Sequence, residues 1–228
     1  MPGTPAISLK RAAKLKAKKY REVERLFVAE GTTLLEEAPT PPLQVFDQAE
    51  ELRRVSTLQT PAGPAGVFPF LDVSAAELLS SVRRVVLLHG VQDPGNVGTT
   101  IRSAHAFGAG VALSRGSADL YNPKTVRATM GSIFHTPVAR KLDAVQFLAT
   151  AAEAGFALAA AVPADGDIPE ALPESSLVVC IGAEGSGLPE HILSACEVRV
   201  CIPSLAPSLN ASVAASILLY EAYSRVLT

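Results

Sequence analysis

VVLLHGVQDPGNVGTTIRSAHAFG, running from Val85 to Gly108, reads as a strand, a loop and a helix. Val85 to Leu88 form a short apolar run, the pattern of a strand buried on both faces. The turn formers Gly90, Asp93, Pro94, Gly95 and Asn96 stop it. Val97, Ile101, Ala104 and Phe107 then recur at helical spacing. Such a unit sets its loop at the carboxyl end of a parallel sheet, where ligands bind. The polar residues it presents are Asn96 and Arg102. Glycines at 90, 95 and 98 do not make G-x-G-x-x-G. Gly90 and Gly95 have phosphate-loop spacing, but Asn96 and Val97 stand where Lys and Ser/Thr are needed. Taken alone, Asn96 reads most simply as a turn residue and Arg102 as a solvated helix residue.

The 228 residues are 48% hydrophobic and 18% charged, a globular composition. No apolar run approaches the ~20 residues that span a bilayer, so no membrane partner is expected. The basic amino terminus is not followed by the apolar block of a secretory signal. Cys180, Cys196 and Cys201 are odd in number, lack C-x-x-C spacing and lie in apolar stretches. They read as reduced, buried thiols of a cytoplasmic protein. His89, His105, His135 and His191 are scattered, so no metal is expected. Net charge is −2, yet residues 1–25 hold eight Lys/Arg against Glu22 and Glu24. That segment, with Lys10, Arg11, Lys18, Lys19 and Arg21, is either a phosphate-binding footprint or a solvated helix face.

Ahead of the central stretch, residues 8–19 are good helix formers, and 26–29 form a short strand. Thr32 or Thr33 caps a helix over 34–37. Beyond Pro39, Pro41 and Pro42 come a strand at 43–46, a helix at 49–54 and a strand at 67–71. These make a small α/β unit, residues 1–75. Residues 76–84 link it to the rest, with a helix over 75–82. From 85 to 228 strands and helices alternate. Strands fall at 85–88, 111–113, 156–162, 177–181 and 198–202, and helices at 124–130, 142–154 and 211–226. Alternation predicts a doubly wound parallel sheet.

Two more loops follow strands in that half. Gly182-Ala183-Glu184-Gly185-Ser186-Gly187 lets backbone approach a ligand closely and carries one charge. It is equally a plain glycine turn. Pro203 to Asn210 ends in Ser208-Leu209-Asn210, which by itself reads most simply as Ser208 or Asn210 capping the last helix.

In this order the three loops resemble the motifs of the SpoU/TrmH family of RNA ribose 2'-O-methyltransferases, in the SPOUT superfamily. The first is D-P-x-N-x-G-x-x-x-R, here Asp93, Pro94, Asn96, Gly98 and Arg102. The second is G-x-E-G-x-G, here Gly182, Glu184, Gly185 and Gly187. The third is I-P … S-L-N-x-S-x-A, here Ile202, Pro203, Ser208, Leu209, Asn210, Ser212 and Ala214. The resemblance covers residues 85–225. KKYREVERLFVAEG and LQTPAG also look like the family's small substrate-binding domain. One departure is that only Ser204 to Pro207 separate Ile-Pro from Ser-Leu-Asn, which shortens the loop expected to wrap the cofactor.

The resemblance implies an α/β fold whose parallel-sheet domain carries a deep trefoil knot. It implies S-adenosyl-L-methionine held by Gly182, Glu184, Gly185, Gly187, Ile202, Pro203, Ser208 and Leu209. It implies a homodimer through the knotted domain, with the closing helix and the helix after Asn96 in the interface. The reaction implied is methylation of a ribose 2'-hydroxyl. Arg102, Asn96, Glu184, Ser208 and Asn210 are the catalytic set. The resemblance makes Arg102 the candidate for helping the hydroxyl lose its proton. Because a charged guanidinium has no lone pair to accept one, stabilising a developing alkoxide is the alternative role. Asn96, Ser208 and Asn210 orient Arg102 and the ribose, and Glu184 fixes the loop. Lys10, Arg11, Lys18, Lys19 and Arg21 are the expected RNA contacts. The separate amino-terminal unit favours ribosomal RNA, with transfer RNA or a non-catalytic RNA-binding protein as alternatives. Without G-x-G-x-x-G or G-x-S-x-G, oxidoreductase and hydrolase readings have no motif.

Overall fold

The computed structural model describes residues 7–225. Its amino-terminal unit runs α1 (Leu9–Lys14), α2 (Lys18–Glu24), β1 (Leu26–Glu30), α3 (Thr32–Glu36), β2 (Gln44–Phe46), α4 (Ala49–Val55) and β3 (Ala65–Pro69). The three strands pair antiparallel in the order β1-β3-β2, with Phe27 opposite Phe68. The expected single helix over 8–19 is two helices, because tertiary bonds override propensity at the break. Arg21 reaches back and donates to the carbonyls of Leu15 and Lys16, at 2.8 and 2.7 Å. Neither Thr32 nor Thr33 caps α3; Gly31, at φ +121°, takes that place.

Helix α5 (Ala75–Ser81) opens on a capping box between Ser74 and Glu77. The larger half follows as β4 (Arg84–His89), α6 (Pro94–Ala106), β5 (Gly110–Ser114), α7 (Pro123–Ala128), β6 (Val138–Leu142) and α8 (Ala144–Glu153). It closes with β7 (Ala157–Ala161), β8 (Leu177–Gly182), α9 (Glu190–Leu193), β9 (Val198–Val200) and α10 (Ala211–Ser224). Val226, assigned to the closing helix by sequence, lies outside the described residues. The six strands are parallel in the order β6-β5-β4-β8-β7-β9. Strand β6 and helix α9 have no counterpart in the sequence reading. Of the cysteines, Cys180 is buried and Cys196 and Cys201 only half so.

The sheet is covered on both faces, which is why β4 is apolar throughout. Val86 and Leu88 point to Val97 and Ile101 of α6 and Leu218 of α10. Val85 and Leu87 point to Leu78 of α5 and Phe147 of α8. The first of these cores continues into the amino-terminal unit through Phe27 and Phe68. Phe27 lies 4.9 Å from Tyr121 and Phe68 4.8 Å from Phe134, between ring centroids.

Charge reinforces this joint. Glu22 of α2 accepts from Arg140 at 2.7 Å and Lys141 at 2.6 Å, both on β6. Burial raises the pKa of Glu22, but these bonds and the two cations outweigh it and bring it from 4.5 to about 2. A carboxylate depressed in the folded state stabilises above its unfolded pKa and loses that contribution as pH falls toward the folded value. The urea midpoint is therefore expected to fall between pH 4.5 and 2, and Glu22→Gln to remove that part of the fall while lowering the midpoint at pH 7. An unchanged acid profile in the variant overturns the assignment.

Candidate functional site

The three loops picked out in the sequence all leave carboxyl ends of strands on one edge. Two of those strands, β4 and β8, are neighbours, with His89 in register with Gly182. After β4, Asp93 caps α6 by accepting from the Asn96 N–H at 3.0 Å, and Pro94 opens the helix. Lys124 donates to the same carboxylate at 2.9 Å, which with the Asn96 bond holds its pKa below the usual range. After β8, the Gly187 N–H donates to the Ala183 carbonyl at 2.9 Å and closes a tight turn. Gly185 and Gly187 sit at φ +86° and +64° in that turn. Gly182 is needed for a different reason: a Cβ there would lie 2.2 Å from the backbone carbon of Gly187.

After β9, Asn210 caps α10, its Oδ1 accepting from the N–H groups of Ser212 and Val213 at 2.9 and 3.3 Å. The Asn210 amide spends its two N–H bonds elsewhere, on Glu184 Oε1 at 2.7 Å and Asn96 Oδ1 at 2.9 Å. Asn96 Nδ2 donates to the same Glu184 oxygen at 2.8 Å, and the Ala211 N–H reaches it at 3.4 Å. Three loops thus converge on one carboxylate oxygen, a charge-assisted cluster. Ser212 Oγ lies 2.7 Å from Asn210 Oδ1 and 3.3 Å from Asn96 Oδ1. One turn on, Ser216 meets Ser103 at 2.7 Å and ties α10 to α6.

Beside this cluster is a cavity of about 600 Å³, within the range of small-molecule sites. Of the residues expected to hold the cofactor, Gly182, Glu184, Gly185, Gly187, Ile202, Ser208 and Leu209 line this cavity, and Pro203 stands outside it. The short segment after Ile202 still walls the cavity, through Ser204 and Pro207, with Ser204 turned back on the Ala206 carbonyl at 2.8 Å. Val162, beyond β7, completes the apolar side. That residue was missed because no motif marks its loop.

Two expectations are corrected. Asn96, Ser208 and Asn210 do not orient Arg102 within the chain. Asn96 and Asn210 bond Glu184 instead, and Arg102, about 9 Å further along α6 than Asn96, is exposed. It lines neither this cavity nor the one on the far side of Glu184, and among the described residues no hydrogen bond or ion pair engages it. Arg21 is not available to RNA: it is 3% exposed and paired with Asp119 at 2.7 Å. A buried guanidinium that binds two carbonyls and a carboxylate holds the joint together. Arg11 bonds Glu24 through Nε at 2.8 Å, whereas Lys10, Lys18 and Lys19 are exposed. Among the described residues, no helix is long and apolar enough to cross a membrane, and no group of three His, Cys, Asp or Glu could hold a metal.

The model of the SpoU rRNA Methylase family matches residues 83–220. The 23S rRNA (guanosine(2553)-2'-O)-methyltransferase RlmP of Bacillus subtilis is 32% identical over 91% of this chain and 92% of its own. A putative TrmH family tRNA/rRNA methyltransferase of Staphylococcus haemolyticus is also 32% identical, over 62% of this chain and 58% of that longer protein. Among solved structures, an AdoMet-bound rRNA methyltransferase of Sinorhizobium meliloti superposes with a TM-score of 0.84 at 26% identity, covering 96% of this chain and 95% of that one. A putative RNA methyltransferase of the TrmH family from Porphyromonas gingivalis gives 0.80 at 29% identity, covering 97% and 99%.

Proposed function

The chain belongs to the SpoU rRNA methylase family, and from that premise we propose that it methylates a ribose 2'-hydroxyl of ribosomal RNA, using S-adenosyl-L-methionine. The observation that carries this reading is the convergence of Asn96, Asn210 and the Ala211 N–H on Glu184, beside a cavity of about 600 Å³. The cavity fits the cofactor chemically. Backbone of Gly182 to Gly187 and the carboxylate of Glu184 offer polar groups, and Val162, Ile202 and Leu209 offer apolar surface to a nucleoside. The bound cofactor supplies an electrophilic methyl group on a sulfonium.

The protein's share is positioning and electrostatics. Glu184 holds the three loops in one arrangement, and Ser208 and Leu209 close the cavity. Arg102 stabilises the oxygen that loses its proton. Lys10, Lys18 and Lys19 meet RNA phosphates, so affinity falls steeply with salt. The small unit, residues 1–75, then carries RNA-binding surface, 76–84 join it, and 85–228 form the methyltransferase domain. Family membership supports a trefoil knot in that domain, and a ribosomal substrate supports a cytoplasmic location.

A homodimer belongs to the same proposal. Val213, Ile217 and Tyr220 of α10 are 45%, 37% and 57% exposed, at a spacing that makes one apolar stripe. An interface of α10 and α6 would carry Arg102, idle in its own chain, to the partner's site.

The test is incubation with methyl-labelled cofactor and ribosomal or transfer RNA, with the modified nucleotide mapped by its resistance to alkaline cleavage. Label at one ribosomal ribose supports the reading, label on transfer RNA revises its substrate, and no label with no cofactor binding overturns it. Glu184→Gln leaves an oxygen for the converging donors but replaces charge-assisted bonds with neutral ones. Calorimetry is expected to show cofactor affinity reduced about tenfold or more; wild-type affinity would remove Glu184 from this role.

A further inference from the structure

A second cavity, of about 560 Å³, opens on the other side of the β8 loop. Ala183, Glu184 and Gly187 line both cavities, so a single loop forms the wall between them. The second lies between that loop and the loop after β4, and His89, Gln92, Asn96 and Ser186 bring polar groups to it.

His89 is the last residue of β4, so its ring is placed by the sheet rather than by a mobile loop. Its Nδ1 is buried, and among the described residues nothing bonds it. Nε2 is the ring nitrogen left open. Burial, and His191 edge-on at 6.1 Å, lower the pKa of His89, so the ring is neutral at pH 7. A neutral imidazole carries one N–H. Placing that hydrogen on Nδ1 would bury a donor with nothing to accept it, which costs more than leaving a lone pair there. The hydrogen therefore sits on Nε2, and the ring presents one donor at the cavity. Gln92 and Ser186 add groups that both donate and accept, and Pro189 adds an apolar surface.

We propose that this cavity is the acceptor-nucleotide pocket, in which one RNA nucleoside turned out of its stack is held with the His89 Nε2–H donating to it. The assignment rests on the methyltransferase reading and deepens it. Sequence-specific RNA recognition mostly targets bases splayed out of their stack, which are hydrogen-bonded on their edges. Here the pocket shares a wall with the proposed cofactor cavity, so acceptor and methyl donor flank one loop. His89 is on this account a positioning residue for the base, with Gln92 and Ser186 beside it.

The chain has four histidines, which makes imidazole nitrogen spectra simple to assign. The wild-type protein would be titrated with each of the four nucleoside 5'-monophosphates, with His89→Ala identifying the signal. Saturable movement of the His89 resonances, with those of His105 and His135 fixed, is the expected result. His105 and His135 stack on each other 4.8 Å apart and line neither cavity, so they report non-specific effects. In RNA methylation assays, His89→Ala is expected to raise KM for RNA about tenfold, the worth of one hydrogen bond, with cofactor affinity unchanged. His89→Gln, which keeps an N–H, is expected to recover most of the loss. Unmoved His89 signals together with wild-type kinetics for His89→Ala overturn the pocket and leave the methyltransferase reading standing. Moved signals in a protein that methylates no RNA support the pocket and overturn that reading.

Discussion

Replacing Arg102 by alanine is expected to lower RNA methylation by about 10²- to 10³-fold, the usual loss when one preorganised donor to a developing oxyanion is removed. Cofactor affinity and melting temperature should stay at wild-type values, because Arg102 lines neither cavity and is exposed on α6. The same placement makes a sharper forecast. If α6 and α10 form the dimer interface, the arginine serves the partner's site, and two inactive variants can complement. Arg102→Ala mixed equally with Glu184→Ala gives heterodimers in half of the population. Each heterodimer has one site with an intact Glu184 and an intact Arg102, so activity returns to about a quarter of wild type. No recovery, with both variants folded and dimeric, would show that the arginine acts within its own chain. Wild-type turnover by Arg102→Ala alone would dismiss it from the chemistry.

Gly182→Ala is expected to be as damaging by another route. The added methyl would meet the backbone of Gly187 at 2.2 and 2.5 Å and the Leu188 nitrogen at 2.5 Å, none of which is the free end of a side chain. The β8 loop must move, and Glu184 moves with it away from Asn96 and Asn210. Overpacking of this kind costs about 1–3 kcal/mol, and here it falls on the loop proposed to bind the cofactor. Calorimetry should show affinity for S-adenosylmethionine reduced about 100-fold, equivalent to 2.7 kcal/mol, while the far-ultraviolet spectrum is kept. Undiminished affinity would mean that the loop does not form the cofactor site.

Much of the fold is legible in local pattern. The apolar runs of β4 and β8 are long enough to announce buried strands, and Asp93, Asn122, Asp143 and Asn210 all cap helices by their own side chains. Strand β6 escapes because Arg140 and Lys141 interrupt its apolar run. Those charges are tolerated on an edge strand that finds Glu22 in the other unit. The break between α1 and α2 escapes for a related reason, since Arg21 makes it with side-chain bonds that no helix propensity encodes. In the site, motif spacing names Asn96, Glu184 and Asn210 but not their mutual contacts, which join residues 26, 88 and 114 positions apart. Arg102 keeps the right spacing in sequence, yet a helix carries it past Asn96, which is a fact of three dimensions.

The joint between the two units has a bearing on the RNA. Tyr121 donates to Asp72 at 2.7 Å and accepts from the N–H groups of Leu71 and Asp72 at 2.5 and 2.7 Å. Phe70 stacks on the same ring at 3.8 Å, and Arg140 lies over both rings. A segment bound this way is a welded corner and not a tether. Lys10, Lys18 and Lys19 then stand at a set distance from the loop edge of the parallel sheet, like the two points of a pair of dividers. If those lysines meet RNA phosphates as proposed, an RNA is gauged by whether its folded shape spans that opening, and the same nucleotides unfolded or spaced differently would not register.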